Sequence, residues 1–278
     1  MPLRPSSPAW PPSTEPGYAP MGLSRQFHAA ITAVQFLTRV PLPGGMNRPD
    51  PDRTLLRSAV VYFPLVGGLV GAFTGGVVWA ALLVWPPAVA VALGLVAEAL
   101  LTGAFHEDAV ADCCDAFGGG WTRDDVMRIM KDSRVGSFGA LGLTLAVLLR
   151  GGCLLTIPAE EVVATVAASA AVGRWAILLL MAICPPVQNR EGLAKDVGEQ
   201  IGWRELAAGS ILALPGAAFG SATLLRTGLG VVAVAIMIVT WAGYVRRRIG
   251  GVTGDCLGCG CYLGQCVFLL ASTAGGGR

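Results

Sequence analysis

Apolar residues in this chain come in long unbroken runs rather than in the spaced pattern of a half-buried soluble helix or strand. Between Ser58 and Phe105 there are 48 residues, and Glu98 is the only Asp, Glu, Lys or Arg among them. A hydrocarbon core of ~30 Å takes about 20 helical residues at 1.5 Å each, so this run is too long for one crossing. Trp85-Pro86-Pro87 punctuates it and predicts a helical hairpin, 58–85 and 88–105. Further runs predict spans at 136–157, 162–184, 206–225 and 228–245, with a weaker one at 254–273. The expected fold is all-α, a polytopic integral membrane bundle of about seven spans. Residues 27–37, with Phe27, Ile31, Val34, Phe36 and Leu37, read as a short helix in the membrane interface.

Composition points the same way. Apolar residues make up 54% of the 278 and charged residues only 14%, against roughly 25% charged in an ordinary soluble domain. The mean hydropathy is +0.62. That excludes a typical soluble enzyme and excludes disorder over most of the length. A net charge of +2 marks no nucleic-acid binder. The first twenty residues hold seven prolines and no apolar leader core. Residues 1–24 are therefore expected to be a disordered cytoplasmic tail, and 25–278 a single transmembrane domain.

Lysine and arginine give an independent test of the layout. With the N-terminus in the cytoplasm, the cytoplasmic segments are 1–57, 106–135, 185–205 and 246–253. They carry 16 of the 20 basic residues, while Arg226 and Arg278 fall on the other side and Arg150 and Arg174 inside spans. This is a strong positive-inside bias. It brings most of the unusual polar residues to one face, as an enzyme working on cytosolic substrates requires.

The segment 106–132 holds seven of the 18 carboxylates. Asp108, Asp112 and Asp115 stand at i, i+4 and i+7, on one helical face. Three carboxylates on one stripe repel each other, and a cation relieves them. Oxygen ligands suit Mg²⁺ or Mn²⁺ rather than zinc. A solvated acidic loop is the bland alternative. Gly118-Gly119-Gly120 ends the helix and leaves room for close backbone approach to a ligand. Arg128, Lys131 and Arg134 follow at once. Carboxylates beside cations suit a metal–pyrophosphate complex, and an ordinary amphipathic connecting helix is the competing reading. His106 is either a phosphate-binding group or simply interfacial. Arg174 lies mid-span, where an unpaired charge costs at least ~2.5–3.5 kcal/mol. It is expected to face the interior and pair with Glu98 or a substrate phosphate. Cys256, Cys259, Cys261 and Cys266 read as small helix-contact residues rather than a zinc or iron–sulfur site.

At these residues the chain resembles a known family. Phe105-His106-Glu107-Asp108-Ala109-Val110-Ala111-Asp112, with Asp115 and the glycines after it, is similar to the central motif of the cobalamin synthases. These are the adenosylcobinamide-GDP ribazoletransferases, membrane enzymes of late cobalamin assembly. Ile129 to Leu141, Phe36 to Pro43 and Gly250 to Gly258 agree too, so the resemblance runs from about residue 25 to 273. The chain departs from the pattern in having Ala109 and Ala116 at two glycine places and Cys113 at a threonine place. More distantly, the motif resembles that of the CDP-alcohol phosphotransferases.

The resemblance implies a Mg²⁺-dependent enzyme of the bacterial inner membrane. The 5′-hydroxyl of α-ribazole, or its 5′-phosphate, replaces GMP on adenosylcobinamide-GDP. The product is adenosylcobalamin or its phosphate. Asp108, Asp112 and Asp115 would hold the metal, with Glu107 joining. Lys131 and Arg134 would hold pyrophosphate oxygens, and Asp132 or Asp255 would be the base or complete the metal shell. His106, Arg174, Arg39, Gly118 and Gly119 would complete the substrate site, with a positive-inside topology role as the equal alternative for Arg39 and for Arg57, which would also reach the site. Lipid surrounds such a protein, and a homo-oligomer is compatible with the sequence. The rivals are a CDP-alcohol phosphotransferase of phospholipid synthesis and a divalent-cation transporter.

Overall fold

The computed structural model describes residues 23–41, 53–187, 201–218 and 224–274. The predicted tail therefore lies outside the described residues except for Leu23 and Ser24, which open the first helix. The helices, in order, are α1 (Leu23–Leu37), α2 (Arg53–Ala59), α3 (Phe63–Leu82), α4 (Pro87–Thr102), α5 (Phe105–Gly119) and α6 (Arg123–Ile129). There follow α7 (Ser137–Leu154), α8 (Val162–Ile183), α9 (Trp203–Ala218), α10 (Leu224–Ile249) and α11 (Gly254–Thr273). A 3₁₀ turn, Val60–Tyr62, joins α2 to α3. No strand occurs among the described residues.

Among the described residues five helices are long and apolar enough to cross a membrane, or six if the bent pair α4 and α5 counts as one. The sequence pattern predicts seven. The two differences are at α4 and at the expected span 206–225. α4 has 16 residues, about 24 Å of helix against a core of ~30 Å. The expected span 206–225 appears as the 16-residue α9, and residues 219–223 lie outside the described set.

Apolar side chains face outward as well as inward, as a lipid-surrounded bundle demands. On α10, Leu225, Leu229, Val232, Ile236 and Val239 form an exposed stripe. α8 and α11 are the central pair, each with 72% of its span window buried. α3 packs on α8 through Gly67, Gly71 and Gly75. A Cβ at any of the three would come within 2.7 Å of α8 backbone atoms. In lipid, where apolar surface gains little from leaving the solvent, such close backbone approach is what holds helices together. Seven of the eight cysteines are buried, Cys114 partly so, and all are free thiols.

Inside this bundle lies an ion pair. Arg150 on α7 donates to Glu98 on α4 at 2.6 Å, with both side chains almost wholly buried. Thr74 of α3 donates to the same carboxylate at 3.0 Å. The partner of Glu98 is thus Arg150, not Arg174 as expected. Arg174 is fully buried, as expected, and exerts its charge on Glu98 from α8. Its Nη1 reaches only the Ala170 carbonyl, at 3.5 Å, while Nε and Nη2 have no hydrogen-bond partner.

This arrangement ranks two substitutions. Glu98→Gln leaves two buried guanidinium groups without their anion, whereas Arg150→Leu leaves Glu98 with Arg174 beside it. Removing one partner of a buried pair costs about 3–5 kcal/mol. Thermal unfolding in detergent should show Glu98→Gln as the more damaging change. Equal or reversed losses would contradict the assignment.

Candidate active site

The site begins at a corner. α4 ends at Gly103, with φ +76°, and Ala104 follows with φ +57°. Two left-handed residues in succession turn the chain, and α5 leaves at 91° to α4. The bend turns α5 away from the axis of α4 and lays it against the first turns of α7 and α11. Gly103 is required twice over. Only glycine takes that backbone without strain, and a Cβ there would collide with the Arg39 guanidinium. Arg39 is held in place by its own N–H, which donates to the Leu101 carbonyl at 2.8 Å. Ala104 keeps its left-handed conformation at a cost of roughly 1–2 kcal/mol.

α5 crosses the N-termini of α7 and α11 and presents an open face and a buried one. The first carries Asp108, Asp112 and Asp115. Asp108 is exposed and the other two are partly buried. Asp255, in the first turn of α11, faces this stripe. That turn is fixed by Thr253, whose hydroxyl caps α11 by accepting from the Cys256 N–H. Burial pushes the Asp112 carboxyl up to about 6, and the charges of Asp108, Asp255 and Asp115 add to the rise. The stripe is therefore a set of carboxylates under mutual repulsion, which is the chemistry a divalent cation relieves. Among the described residues no three His, Cys, Asp or Glu side chains are already gathered closely enough to enclose an ion. Asp115 stands apart within the group. Its two oxygens accept from the N–H groups of Gly136 and Gly139, at 2.6 and 2.8 Å.

The second face turns inward. His106 is buried, with Nε2 lacking a partner, and Glu107 has Oε2 buried and likewise unpartnered. Both lie in the field of Arg150 and Arg174. Gln265 of α11 adds a buried Oε1 with no partner. Glu107 and Asp108, adjacent in sequence, so look in different directions. Glu107 belongs with the buried charges and not with the aspartate stripe.

The basic residues sit around the edge. α6 opens with a capping box between Thr122 and Asp125, and Arg128 pairs with Asp125 at 3.3 Å. Lys131 is exposed. Arg134 is exposed and bound to Asp132 at 2.6 Å. That partner, with the Arg134 backbone N–H, holds the Asp132 carboxyl down at about 2. The loop between α5 and α6 is laced to the end of α10. Arg248 donates to the Gly120 carbonyl at 2.6 Å, and Arg123 to that of Ile249 at 3.1 Å. Arg57 lies farther off, 3.8 Å from Glu205 of α9. Gly118 and Gly120 leave no open space, since a Cβ would strike the Phe138 ring at the first and Val126 at the second. Gly119 alone is exposed and uncrowded.

A family model described as cobalamin-5-phosphate synthase matches residues 29–273. This chain belongs to that family. The adenosylcobinamide-GDP ribazoletransferase of Ralstonia nicotianae is 40% identical over 248 residues, covering 86% of this chain and 90% of the relative. That of Leptothrix cholodnii is 37% identical, with 87% and 94% covered. That of Shewanella frigidimarina is 35% identical, with 90% and 96% covered. No solved structure matches the chain.

The departures from the cobalamin synthase motif now have a place in the fold. Ala109, Cys113 and Ala116 lie at i, i+4 and i+7 on the buried side of α5, in line with His106, and all are buried. Ala109 packs on Gly258, where a Cβ would come within 2.7 Å of it. Cys113 lies against Cys256 and Cys259 of α11. The added methyls therefore fill a helix contact and stay clear of the aspartate stripe.

The raised Asp112 predicts a pH effect. An ordinary aspartate ionises near 3.8, so between about pH 4 and 6 the folded protein binds the extra proton and is stabilised by it. In divalent-free detergent, Tm should fall as pH rises through that window, and added Mg²⁺ should reverse the fall. Asp112→Asn should abolish both effects. A Tm indifferent to pH and Mg²⁺ would contradict the reading of the stripe.

Proposed function

We propose that this protein is an adenosylcobinamide-GDP ribazoletransferase of the bacterial inner membrane, with its active site on α5 facing the cytoplasm. The observation that carries the reading is the aspartate stripe, crowded against Asp255 at one end of the bundle in a chain of the cobalamin synthase family. The names and identities of the relatives support the activity and do not favour a CDP-alcohol phosphotransferase. A transporter is disfavoured because few ionisable residues lie within spans, chiefly Glu98, Arg150 and Arg174, and the first two of these are bonded to each other. The basic residues of 106–135 and 246–253 support the inner-face orientation, and these two segments are bonded to each other.

In the proposed reaction the alcohol oxygen of α-ribazole, or of its phosphate, attacks the cobinamide-side phosphorus. The bond to GMP breaks, and the alcohol proton goes to a base. Mg²⁺, when bound, neutralises the pyrophosphate oxygens and aligns them for displacement. Asp108, Asp112 and Asp255 would hold it, since these are the carboxylates that load charge on one another at the open face. Asp132, beside Lys131 and Arg134 at the edge of the site, would be the base, or Asp255 would take that role and leave the metal to Asp108 and Asp112. Lys131 and Arg134 stand exposed at the edge, where guanidinium and ammonium groups would take the outer phosphate oxygens. Gly119 offers the uncrowded backbone approach.

Membranes containing the protein, given adenosylcobinamide-GDP, α-ribazole and Mg²⁺, should release GMP and form adenosylcobalamin. Asp112→Asn should lower turnover about 100-fold or more while leaving membrane insertion unchanged, and Lys131→Ala should act mainly on KM. A wild-type protein that releases no GMP, or an Asp112→Asn variant of normal rate, would overturn the reading.

A further inference from the structure

We propose that Asp115 is a positioning residue, a cap supplied by α5 to the N-terminus of α7, and that it is not a ligand of the metal. The proposal rests on the reading of Asp108, Asp112 and Asp255 as the metal-holding set, and it separates Asp115 from them.

The first turn of a helix leaves backbone N–H groups without intrahelical partners, and a side chain at the N-cap normally satisfies one of them. α7 begins after Gly136, which has no side chain to do so. Asp115 supplies what is missing from another helix. Its Oδ2 accepts from the N–H of Gly136 at 2.6 Å, and Oδ1 from that of Gly139 at 2.8 Å. A carboxylate there also meets the positive end of the α7 dipole. Charge-assisted bonds of this length are strong, and each oxygen is engaged.

The seat is shaped for this carboxylate. A Cβ on Gly136 would come within 2.5 Å of Oδ1. One on Gly139 would overlap Oδ2 and approach the Ala111 carbonyl to 2.8 Å. Phe138, between them, stacks its ring into the space left by Gly118. Three glycines on two helices thus make the contact, and any side chain at Gly136 or Gly139 would push the carboxylate out.

The consequence for the site is rotational. α5 is anchored at its start by the Gly103–Ala104 corner and near its end by Asp115. Fixing Asp115 fixes the rotation of the helix about its axis. Asp112 and Asp108, three and seven residues earlier, then point toward Asp255. A metal ligand contributes affinity for the ion, whereas a positioning residue contributes alignment. The two differ in what their removal changes.

The test uses the full-length protein in detergent. Mn²⁺ binding is followed by the electron paramagnetic resonance signal of the free ion, and GMP release by product assay. Asp115→Asn, which keeps one acceptor oxygen, and Gly139→Ala, which removes no ligand atom, should weaken Mn²⁺ binding alike and by less than Asp112→Asn does, because both act only by letting α5 turn. Both should lose turnover, by up to about a hundredfold for a displacement near 1 Å. Asp112→Asn should weaken Mn²⁺ binding by about tenfold or more. Asp115→Asn should retain more activity than Asp115→Ala, and adding Gly139→Ala to Asp115→Ala should cost little more, because both break one contact. The proposal is overturned if Asp115→Asn weakens Mn²⁺ binding as Asp112→Asn does, or if Gly139→Ala has the wild-type rate. If the wild type binds no Mn²⁺, the metal assignment fails. The combined variant then decides the positioning role by itself: additive losses refute it and non-additive losses sustain it.

Discussion

The structure depends on carboxylates forced together at one end of a membrane bundle. Burial raises the Asp112 carboxyl, and Asp108, Asp255 and Asp115 lie close enough to add to the rise. A helix carrying such a stripe is destabilised on its own, so something outside α5 must hold it. The corner at Gly103 turns it away from the axis of α4, α11 packs under its small-residue face, and α7 takes up one of its charges through backbone N–H groups. What is left uncompensated is centred on Asp112. That residual repulsion is the chemical capacity of the site.

The interior of the bundle answers a related problem. Charges in a low-dielectric core must be paired or they are expensive. Glu98 and Arg150 meet this with a direct bond, Thr74 adds a second donor, and Arg174 leans on the same carboxylate. Around them His106, Glu107, Arg174 and Gln265 keep buried polar atoms without protein partners. Such atoms normally meet ordered water or a bound group. Two of them, His106 and Glu107, belong to α5, so one helix carries both the aspartate face and part of the buried polar set.

Much of the architecture was legible in the sequence. The runs at 136–157, 162–184 and 254–273 became α7, α8 and α11, because long apolar segments carry their own signal. The first arm of the hairpin became α3 with the helical residues before it. Less legible was where a run is helical but too short to cross alone, as in α4, since hydropathy averages over that difference. Spacing put the three aspartates on one face. It could not show that one of them is spent on the backbone of a helix some twenty residues later. Glu98 was identified as the interior acid, but residue counting along two spans leaves both arginines within a side chain's reach. Only the packing of α7 against α4 decides for Arg150. The glycines after Asp115 were read as ligand room, and two of them are room for Phe138 and Val126 instead. Glycine alone does not say what comes close to it.

The central claim is that a divalent ion is held between α5 and the first turn of α11. The most direct measurement is an anomalous-scattering map of the crystallised protein with Mn²⁺ in place of Mg²⁺. The account predicts one or more peaks among the carboxylates of Asp108, Asp112 and Asp255. Peaks confined to other residues, or none with Mn²⁺ in excess, would contradict it.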